Sequence, residues 1–216
     1  VNLAHLLVGA EGTLAFTRAP GETVADYFIT PSGLTSGNYT ITFNTGNLSI
    51  TKAALSITAD SKIKTYGESD PTFTASYAGF VNGETPAVLA GTLAFTRAPG
   101  ENAGDYLITP SGLTSGNYTI LFNTGTLSIT KAALSVTADN KTKTYGAADP
   151  TFTASYAGFV NSESPAVLAG TLSFTRAPGE NVADYLITPS GLTSGNYTLT
   201  FNTGTLSITK APLSVT

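Results

Sequence analysis

The side chains that could carry catalysis are sparse in this chain. Its 216 residues include one histidine, His5, and no cysteine. A nucleophile–histidine–acid triad would have to assemble around that imidazole, yet His5 lies in a stretch that occurs once, outside the pattern repeated along the rest of the chain. Leu3, Leu6 and Leu7 have the spacing of one helix face, so His5 is predicted to lie on, or pack against, a short helix. We expect no catalytic residue and no enzymatic activity.

Carboxylates recur beside predicted turns. Residues 55–133 contain Asp60, Asp70, Glu101 and Asp105. Two facing acids could serve as the acid and base of a glycosidase, and clustered carboxylate oxygens could hold Ca²⁺. There is no D-x-D-x-D run, and an aspartate before proline or in a turn commonly binds its own backbone. These acids therefore predict turn structure without a metal or cofactor, and a Ca²⁺ site is the alternative.

Arginine and glutamate flank a Pro-Gly turn in a pattern that occurs three times. Arg97 and Glu101 enclose Pro99-Gly100. The same arrangement recurs as Arg18 with Glu22 and as Arg176 with Glu180. Opposite charges across a turn predict an ion pair, which contributes about 0–1 kcal/mol when exposed. The pattern therefore indicates structure, and it identifies no ligand-binding residue.

Tyrosines could form a stacking surface for sugars, because an aromatic ring presents a large apolar face. Residues 55–133 contain Tyr66, Tyr77, Tyr106 and Tyr118. Most alternate with threonine or serine, the period-two pattern of a half-buried strand. We therefore predict that most of them pack in the core, and a carbohydrate-binding face with the same exposed aromatics in every repeat is the alternative.

Asparagines and lysines offer two places for covalent modification. The sequon Asn-Tyr-Thr begins at Asn38, Asn117 and Asn196. Because it follows glycine each time, it predicts a strand start, with glycosylation as the alternative. Lysines stand where one repeat gives way to the next, at Lys52, Lys131 and Lys210. An intramolecular Lys–Asn amide there is an alternative that mass spectrometry would detect as lost ammonia.

The elements around these residues repeat with a period of 79. Residues 55–133 and 134–212 align without a gap and differ at 13 of 79 positions. Residues 1–54 match the later two thirds of a repeat and lack its leading hairpin, and 213–216 match the start of a further repeat. A period of this length is long enough for a small domain with its own core. We expect the natural protein to continue in both directions.

Composition points to an all-β protein. Only 11% of the residues are charged, and glycine, threonine, tyrosine and phenylalanine are abundant, which favours strands joined by tight turns. The net charge of −4 lacks the basic character that nucleic-acid binding needs. No apolar run approaches the roughly 20 residues of a membrane-spanning helix. We therefore expect neither binding to nucleic acid nor insertion into a membrane.

Within 55–133 the pattern predicts a leading hairpin, a short helix and three or four further strands. The hairpin extends from Leu55 through Lys62–Tyr66 to Tyr77, and the helix of one or two turns covers Thr85–Gly91. A loop is predicted at Pro110–Gly116 and a turn at Asn123–Gly125. This order is typical of a β-grasp, and a small β-sandwich of seven strands is the alternative.

Consecutive repeats are joined by a short connection. Four residues separate Ile129 from Leu134, and none of them is glycine. Domains connected so tightly cannot tumble freely. The sequence therefore predicts a semi-rigid rod of tandem β-grasp-like domains.

Several motifs together resemble a known family. Within 55–133 they are Lys64-Thr65-Tyr66-Gly67, Asp70-Pro71-Thr72-Phe73, Gly91-Thr92-Leu93, Arg97-Ala98-Pro99-Gly100-Glu101, Asp105-Tyr106 and Gly116-Asn117-Tyr118-Thr119. This set resembles the bacterial MBG and YDG-type repeat domains, and the resemblance extends from about Gly12 to Thr216, whereas Val1 to Glu11 departs from it. Those domains occur in tandem in large secreted adhesins and haemagglutinin-like surface proteins.

The resemblance implies an extracellular or cell-surface location and a stalk that projects a distal binding region. The alternatives are a self-associating fibre or sheath subunit and a repeated carbohydrate-binding module. The expected partners are neighbouring repeats of the same chain, other copies in a fibre, and host or surface glycans. Because the family is defined by architecture, the resemblance transfers no catalytic or ligand-binding residue.

Overall fold

The computed structural model describes residues 9–215. They fold into two compact units. The first unit contains 9–58, Ala75–Ala94 and Pro110–Asn123, and the second contains Ala59–Thr74, Phe95–Thr109 and 124–215. Each unit therefore combines residues of two consecutive 79-residue repeats. His5 and the helix predicted around it lie outside the described residues.

Strands and two 3-10 turns make up the regular structure of the described residues. The first repeat contains β1 Glu11–Arg18, β2 Ala25–Thr35 and β3 Gly46–Ile50. The second contains β4 Ala53–Ala59, β5 Lys62–Thr65, β6 Ala75–Ala78, β7 Ala90–Arg97, β8 Gly104–Thr114, β9 Tyr118–Asn123 and β10 Gly125–Thr130. The third contains β11 Ala132–Ala138, β12 Lys141–Thr144, β13 Ala154–Ala157, β14 Ala169–Arg176, β15 Asp184–Thr193, β16 Tyr197–Asn202 and β17 Gly204–Thr209. The protein is all-β, as its composition predicts.

The third repeat, which lies wholly in the second unit, forms two sheets. In the three-stranded sheet, β11 lies between β13, which is antiparallel to it, and β16, which is parallel to it. The four-stranded sheet has the order β12-β17-β15-β14, in which only the β12–β17 pair is parallel. The parallel pairs join strands that are far apart in sequence, so the leading and trailing segments of the repeat depend on each other.

Alternating burial explains why these segments are strands. Along β11, Ala132, Leu134, Val136 and Ala138 are buried, while the residues between them are more exposed. A strand presents every second side chain to the same face. The four-stranded sheet of the third repeat has a core of its own, formed by Ala138 with residues of β15 and β17.

Within the second unit, one apolar core crosses the boundary between repeats. Tyr66, Ile108 and Ile129 of the second repeat belong to the same buried cluster as Leu134 and Tyr197 of the third. Fully burying a side chain of this size stabilises by about 1.5–3 kcal/mol. The third repeat therefore shares part of its core with its neighbour, a feature that the expectation of one closed core per repeat did not include.

In the first unit, β1, β2 and β3 form a three-stranded antiparallel sheet. A second sheet has the order β6-β4-β9 and contains the parallel pair β4–β9. Its core is built on Leu55, Ile57 and Tyr118, with aromatic and aliphatic side chains packed around them. As along β11, every second residue of β4 from Ala53 to Ile57 faces this core.

The predicted helix is shorter than expected. Pro86–Val88 and the equivalent Pro165–Val167 are single 3-10 turns, and none of their residues is buried. An α-helix at this place would need an apolar face to pack, which three exposed residues do not supply. The β-grasp arrangement is therefore not confirmed, whereas seven strands with one helical turn match the count expected of the alternative.

Three local predictions were wrong. The leading segment breaks after Ala59, so β4 pairs with β6 in one sheet, whereas β5 pairs in parallel with β10 in another. Strand β8 continues through most of the predicted loop Pro110–Gly116 to Thr114. Asn123–Gly125 passes the chain from one sheet to another without forming a hairpin. Local sequence patterns did not reveal that a strand continues through proline and glycine. They also did not reveal that the chain switches from one sheet to another.

Candidate functional site at the joint between repeats

The joint between the second and third repeats is centred on Tyr66. This tyrosine is only 6% exposed, and its hydroxyl donates to Glu163 Oε1 at 2.6 Å. Tyr197 donates to the other oxygen of the same carboxylate, at 2.5 Å, and its ring meets the Tyr66 ring edge-to-face with centroids 5.5 Å apart. Glu163 therefore holds two tyrosines from two different repeats.

The carboxylate changes the acid strength of both phenols. Its hydrogen bond with Tyr66, together with burial, raises the pKa of Tyr66 above its usual value of 10.0. Burial, followed by the hydrogen bond to Glu163, raises the pKa of Tyr197 as well. A phenolate beside a carboxylate is unfavourable, so both tyrosines remain neutral donors at physiological pH.

Further hydrogen bonds of asparagine and lysine side chains strengthen the same joint. The amide N–H of Ala103 donates to Asn196 Oδ1 at 3.0 Å, and Asn196 Nδ2 donates to Asn102 Oδ1 at 3.0 Å. Lys131, in the connection, donates from Nζ to the carbonyl oxygen of Ser194 at 2.9 Å. Hydrogen bonds of this kind contribute about 0.5–1.5 kcal/mol each and fix the orientation of the groups that they connect.

Gly67 allows the backbone of the second repeat to approach the side chain of Val160 closely. It has φ = 90°, a conformation in which residues with a side chain are strained. A Cβ at this position would lie 2.5 Å from Val160 Cγ2. The glycine is therefore needed both for its own backbone angle and for contact with the third repeat.

The first unit contains an equivalent set of contacts between the first and second repeats. Val24 N–H donates to Asn117 Oδ1 at 3.1 Å, and Lys52 Nζ donates to the Ser115 carbonyl at 3.0 Å. Within the second repeat, Tyr118 donates to Glu84, and this bond, with burial, raises the pKa of Tyr118. The chemistry of the joint therefore repeats with the sequence.

A second feature is a buried lysine held by two acids. Lys64 Nζ lies 2.6 Å from Asp70 Oδ1 and 2.6 Å from Glu101 Oε2. Arg97 Nε lies 2.7 Å from Asp70 Oδ2, and Arg97 also pairs with Glu101. Its guanidinium carbon stands 5.2 Å from the centre of the Tyr106 ring. We call Lys64, Asp70, Arg97 and Glu101 the charge cluster.

The cluster stabilises the charged form of each of its members. Burial alone would lower the pKa of Lys64, but its hydrogen bonds to Asp70 and Glu101 outweigh burial and raise that pKa. Hydrogen bonds from Arg97 and Lys64 lower the pKa of Asp70, and the bond from Lys64 lowers that of Glu101. Because every charge is paired, the cluster is suited to fixing structure rather than to transferring protons.

The same cluster recurs in the third repeat. Lys143 Nζ lies 2.6 Å from Asp149 Oδ1 and 2.6 Å from Glu180 Oε2, and Arg176 Nε lies 2.7 Å from Asp149 Oδ2. Arg176 stands over the ring of Tyr185. In the first repeat, Arg18 pairs with Glu22 and stands over Tyr27. The predicted arginine–glutamate pair is therefore present each time.

The other acids singled out in the sequence serve structural roles. Asp60 accepts a hydrogen bond from Thr74 Oγ1 at 2.6 Å, and Asp105 accepts one from Ser128 Oγ at 2.6 Å. The prediction that these acids bind their own turn backbone is not confirmed, because Asp70 and Glu101 pair with side chains of the charge cluster and the hydroxyls that Asp60 and Asp105 bind lie 14 and 23 positions away. Among residues 9–215 no group of three or more acidic or histidine side chains could hold a metal ion.

The predicted core role of tyrosine is confirmed for Tyr66 and Tyr118, which are buried. Tyr77 and Tyr106 are partly buried against the sheets. Lys52 and Lys131 bind backbone carbonyls instead of asparagine side chains, so the geometry does not support a Lys–Asn amide at either. Lys210 lines a surface groove beside Leu213.

Sequence reasoning missed Lys64, Lys143 and Glu163. The two lysines were hidden among polar strand residues, although the alternation in Lys62-Ile63-Lys64-Thr65-Tyr66 places Lys64 on the same face as Tyr66. Glu163 comes just before the segment equivalent to the predicted helix Thr85–Gly91, and nothing local indicates that it binds tyrosines. Asn117 and Asn196 were predicted to be strand starts, with glycosylation as the alternative, yet each accepts a backbone hydrogen bond from the preceding repeat.

No helix in the described residues is long and apolar enough to cross a membrane.

Taken together, the folds and joints define a tandem array of small all-β repeat domains. Three stretches, residues 4–49, 55–128 and 134–207, match the model of the MBG domain of the YGX type. These stretches cover most of the chain, and the chain belongs to this family.

Other comparisons add little. No curated protein matches this chain. Among solved structures, it is similar to the crystal structure of Drosophila N-cadherin EC1-4, with 14% identity and a TM-score of 0.27. The match covers 87% of this chain and 58% of that one, so this chain spans less than two thirds of that structure.

Proposed function

We propose that this chain is a spacer. Its MBG repeats hold a distal binding region of a longer protein away from a bacterial cell surface, in an extracellular setting such as a secreted adhesin. The proposal assigns no catalytic residue and no cofactor. What the repeats supply is length and resistance to bending, so their partners are chiefly the neighbouring repeats.

The observation that carries this proposal is the shared core at the joint. Tyr66 is buried and donates a hydrogen bond to Glu163, which follows it by 97 positions, and the apolar cluster around it belongs to both repeats. Bending the joint would expose these side chains and break the hydrogen bond from Tyr66 to Glu163. A flexible tether would need neither feature, because Gly/Ser-rich linkers reach as far without ordered contacts.

A distance measurement between two repeats tests the stiffness. Thr96 and Thr175 are exposed, lie at equivalent strand positions, and can be changed to cysteine in a chain that has none. Pulsed electron spin resonance on the spin-labelled protein should give a single narrow distance distribution. A broad distribution extending over tens of ångströms would overturn the spacer proposal.

Two further variants test the joint without changing either labelled position. Adding Tyr66→Ala to the labelled protein removes the ring and the hydroxyl that Glu163 binds, so the distribution should broaden. Tyr145→Ala removes the equivalent tyrosine of the third repeat, which is 53% exposed, and should leave the distribution narrow. Equal widths in all three proteins would contradict the assigned role of Tyr66.

A fibre or sheath subunit is the second candidate, favoured by exposed apolar side chains at one register position. Phe28, Leu107 and Leu186 are 64%, 56% and 56% exposed and occupy equivalent places in consecutive repeats. Large exposed apolar groups at regular intervals suit lateral association. Sedimentation across a hundredfold concentration range distinguishes the two candidate functions. A spacer stays monomeric, whereas a fibre subunit forms larger assemblies as the concentration rises.

The carbohydrate-binding alternative gains no support from these positions. It requires the same exposed aromatic in each repeat, whereas Phe28 corresponds to leucine in the other two repeats. The tyrosines at one equivalent position of the second and third repeats, Tyr118 and Tyr197, are buried. Glycan-array binding by the whole chain would revive this alternative.

A further inference from the structure

The leading and trailing segments of the third repeat lie side by side and run in the same direction. Strand β11 pairs in parallel with β16 in the register Ala132↔Tyr197, and β12 pairs in parallel with β17 in the register Lys141↔Leu206. The partners are 65 positions apart in both pairs, so the register does not change where the segments pass from one sheet to the other. We call these stretches, residues 132–144 and 197–209, the paired segments.

Side chains connect the paired segments between the two strand pairs. Asn202 Nδ2 donates to Thr137 Oγ1 at 3.2 Å, and the N–H of Thr205 donates to Asn140 Oδ1 at 2.8 Å. Both bonds join residues that are again 65 positions apart. The two segments are therefore hydrogen-bonded to each other from one sheet into the next.

The paired segments also carry the two ends of the repeat. Strand β10 ends at Thr130 and β11 begins at Ala132, so a single residue joins the last strand of the second repeat to the first strand of the third. Strand β17, at the other end of the third repeat, ends at Thr209. Tension along the chain therefore enters at the first residue of one segment and leaves at the last residue of the other.

Parallel strands that are pulled from opposite ends must slide past each other lengthwise. The hydrogen bonds of a parallel pair are evenly spaced along it, so sliding loads them together instead of one after another. Both end strands are interior strands, because β11 lies between β13 and β16, and β17 lies between β12 and β15. Neither strand can leave its sheet without breaking hydrogen bonds on both sides and exposing buried side chains such as Leu134 and Leu206.

The second repeat has the same two parallel pairs. Strand β4 pairs with β9 in the register Ala53↔Tyr118 within the first unit, and β10 pairs with β5 in the register Leu127↔Lys62 within the second unit. The partners are again 65 positions apart. The arrangement therefore recurs with the repeat.

We propose that each complete repeat is a load-bearing module, in which the paired segments form a clamp against tension along the chain. The spacer proposal concerns length and bending. The clamp rests on that proposal only for the source of the load, a distal region that holds another surface while the chain is pulled. Because the hydrogen bonds of the clamp must break together, they raise the barrier to unfolding under force, and forced unfolding is governed by the unfolding rate.

The test compares two directions of pulling on the third repeat of the whole chain. Ala133, Ala147 and Lys210 are exposed, and the chain contains no cysteine, so pairs of cysteines at these positions can carry DNA handles for optical tweezers. Pulling between Ala133→Cys and Lys210→Cys slides the paired segments past each other. Pulling between Ala147→Cys and Lys210→Cys separates the adjacent ends of β12 and β17, which opens that strand pair one hydrogen bond at a time.

The two pulling directions should give different rupture forces in the same fold. At the same loading rate, the first pair of handles should require a several-fold higher force than the second. Urea unfolding of the two labelled proteins checks that their stability is the same. Equal rupture forces, or a lower force for the first pair, would overturn the proposal.

Two matched glycine variants, made in the protein with the first pair of handles, locate the resistance. A Cβ on Gly204 would lie 2.3 Å from the carbonyl oxygen of Ala138, inside the paired segments. A Cβ on Gly191 would lie 2.2 Å from that of Thr171, between β15 and β14 and outside the paired segments. Gly204→Ala should lower the rupture force, whereas Gly191→Ala should lower stability in urea and leave the force unchanged. Equal losses of force would refute the clamp, and the comparison of pulling directions decides the matter if either variant fails to fold.

The outcome is independent of the stiffness measurement between the spin labels. A several-fold difference between the pulling directions, with a broad distance distribution, would support the clamp and reject the spacer. A narrow distribution with equal rupture forces would support the spacer and reject the clamp.

Discussion

The hydroxyl of Tyr66 donates to Glu163 at 2.6 Å, across 97 residues of sequence and across the boundary between two repeats. Near-identical neighbouring repeats risk misassembly, since each could exchange strands with the next. A tyrosine on one repeat that fits a carboxylate on the next gives the joint a defined geometry.

Tyr66→Phe isolates the hydrogen bond of the joint. The ring and its contacts remain, while the half-buried carboxylate of Glu163 loses one charged-group hydrogen bond, so the free energy of unfolding should fall by about 1–3 kcal/mol. Urea unfolding monitored by circular dichroism measures the change. Tyr145→Phe, at the exposed equivalent, should change stability by less than about 0.5 kcal/mol. Equal effects of the two variants would contradict the role of Glu163.

Alkaline pH should weaken the joint through the same tyrosines. The pKa values of Tyr66 and Tyr197 are raised on folding. Their contribution is therefore complete below the unfolded value near 10.0 and is lost as the pH rises through the higher folded values. The free energy of unfolding should fall above about pH 10, and by less in Tyr66→Phe. A wild-type stability that is flat between pH 9 and pH 11.5 would exclude this linkage.

The strands were largely predictable from alternation, whereas their pairing was not. Leu134 and Val136 identify a strand by themselves, because burial of every second residue is a local property. That β12 leaves its predicted partner and joins β17, 66 residues away at Lys143 and Thr209, depends on long-range pairing that no local pattern encodes. The Arg97–Glu101 pair was predictable because both residues flank one turn. Glu163 was not, because its partners lie in other elements.

Acid should destabilise the protein through the charge cluster. The pKa values of Asp70 and Glu101 are lowered on folding, so their contribution is complete above the unfolded values near 3.8 and 4.5. It is lost as the pH falls through the lower folded values. The free energy of unfolding should therefore decrease between about pH 4.5 and pH 2, as measured by urea titrations at several pH values.

Removing one acid from the charge cluster tests how much of the acid dependence of stability comes from the cluster. Asp70→Asn leaves Lys64 buried with one carboxylate and should cost about 1–3 kcal/mol at pH 7, because a buried charge loses a partner. The free energy of unfolding of this variant should then decrease less steeply as the pH falls. Glu68→Ala, a change already present at the equivalent Ala147, serves as the control and should cost less than about 0.5 kcal/mol. If both variants have the wild-type acid profile, the cluster is not the source of the dependence.

The Pro-Gly turn beside the cluster depends on one glycine. Gly100 has φ = 131°, which strains any residue with a side chain, and a Cβ there would lie 2.4 Å from Tyr106 Cε1. Tyr106 is the ring on which Arg97 stands, so Gly100→Ala would displace both the ring and the guanidinium. We expect a loss of about 1–3 kcal/mol, measured by thermal and urea unfolding. Gly116→Ala, where an added Cβ meets no atom within 4 Å, should change stability by less than about 1 kcal/mol, and a Gly100→Ala variant as stable as this control would show that the turn can relax without disturbing Tyr106.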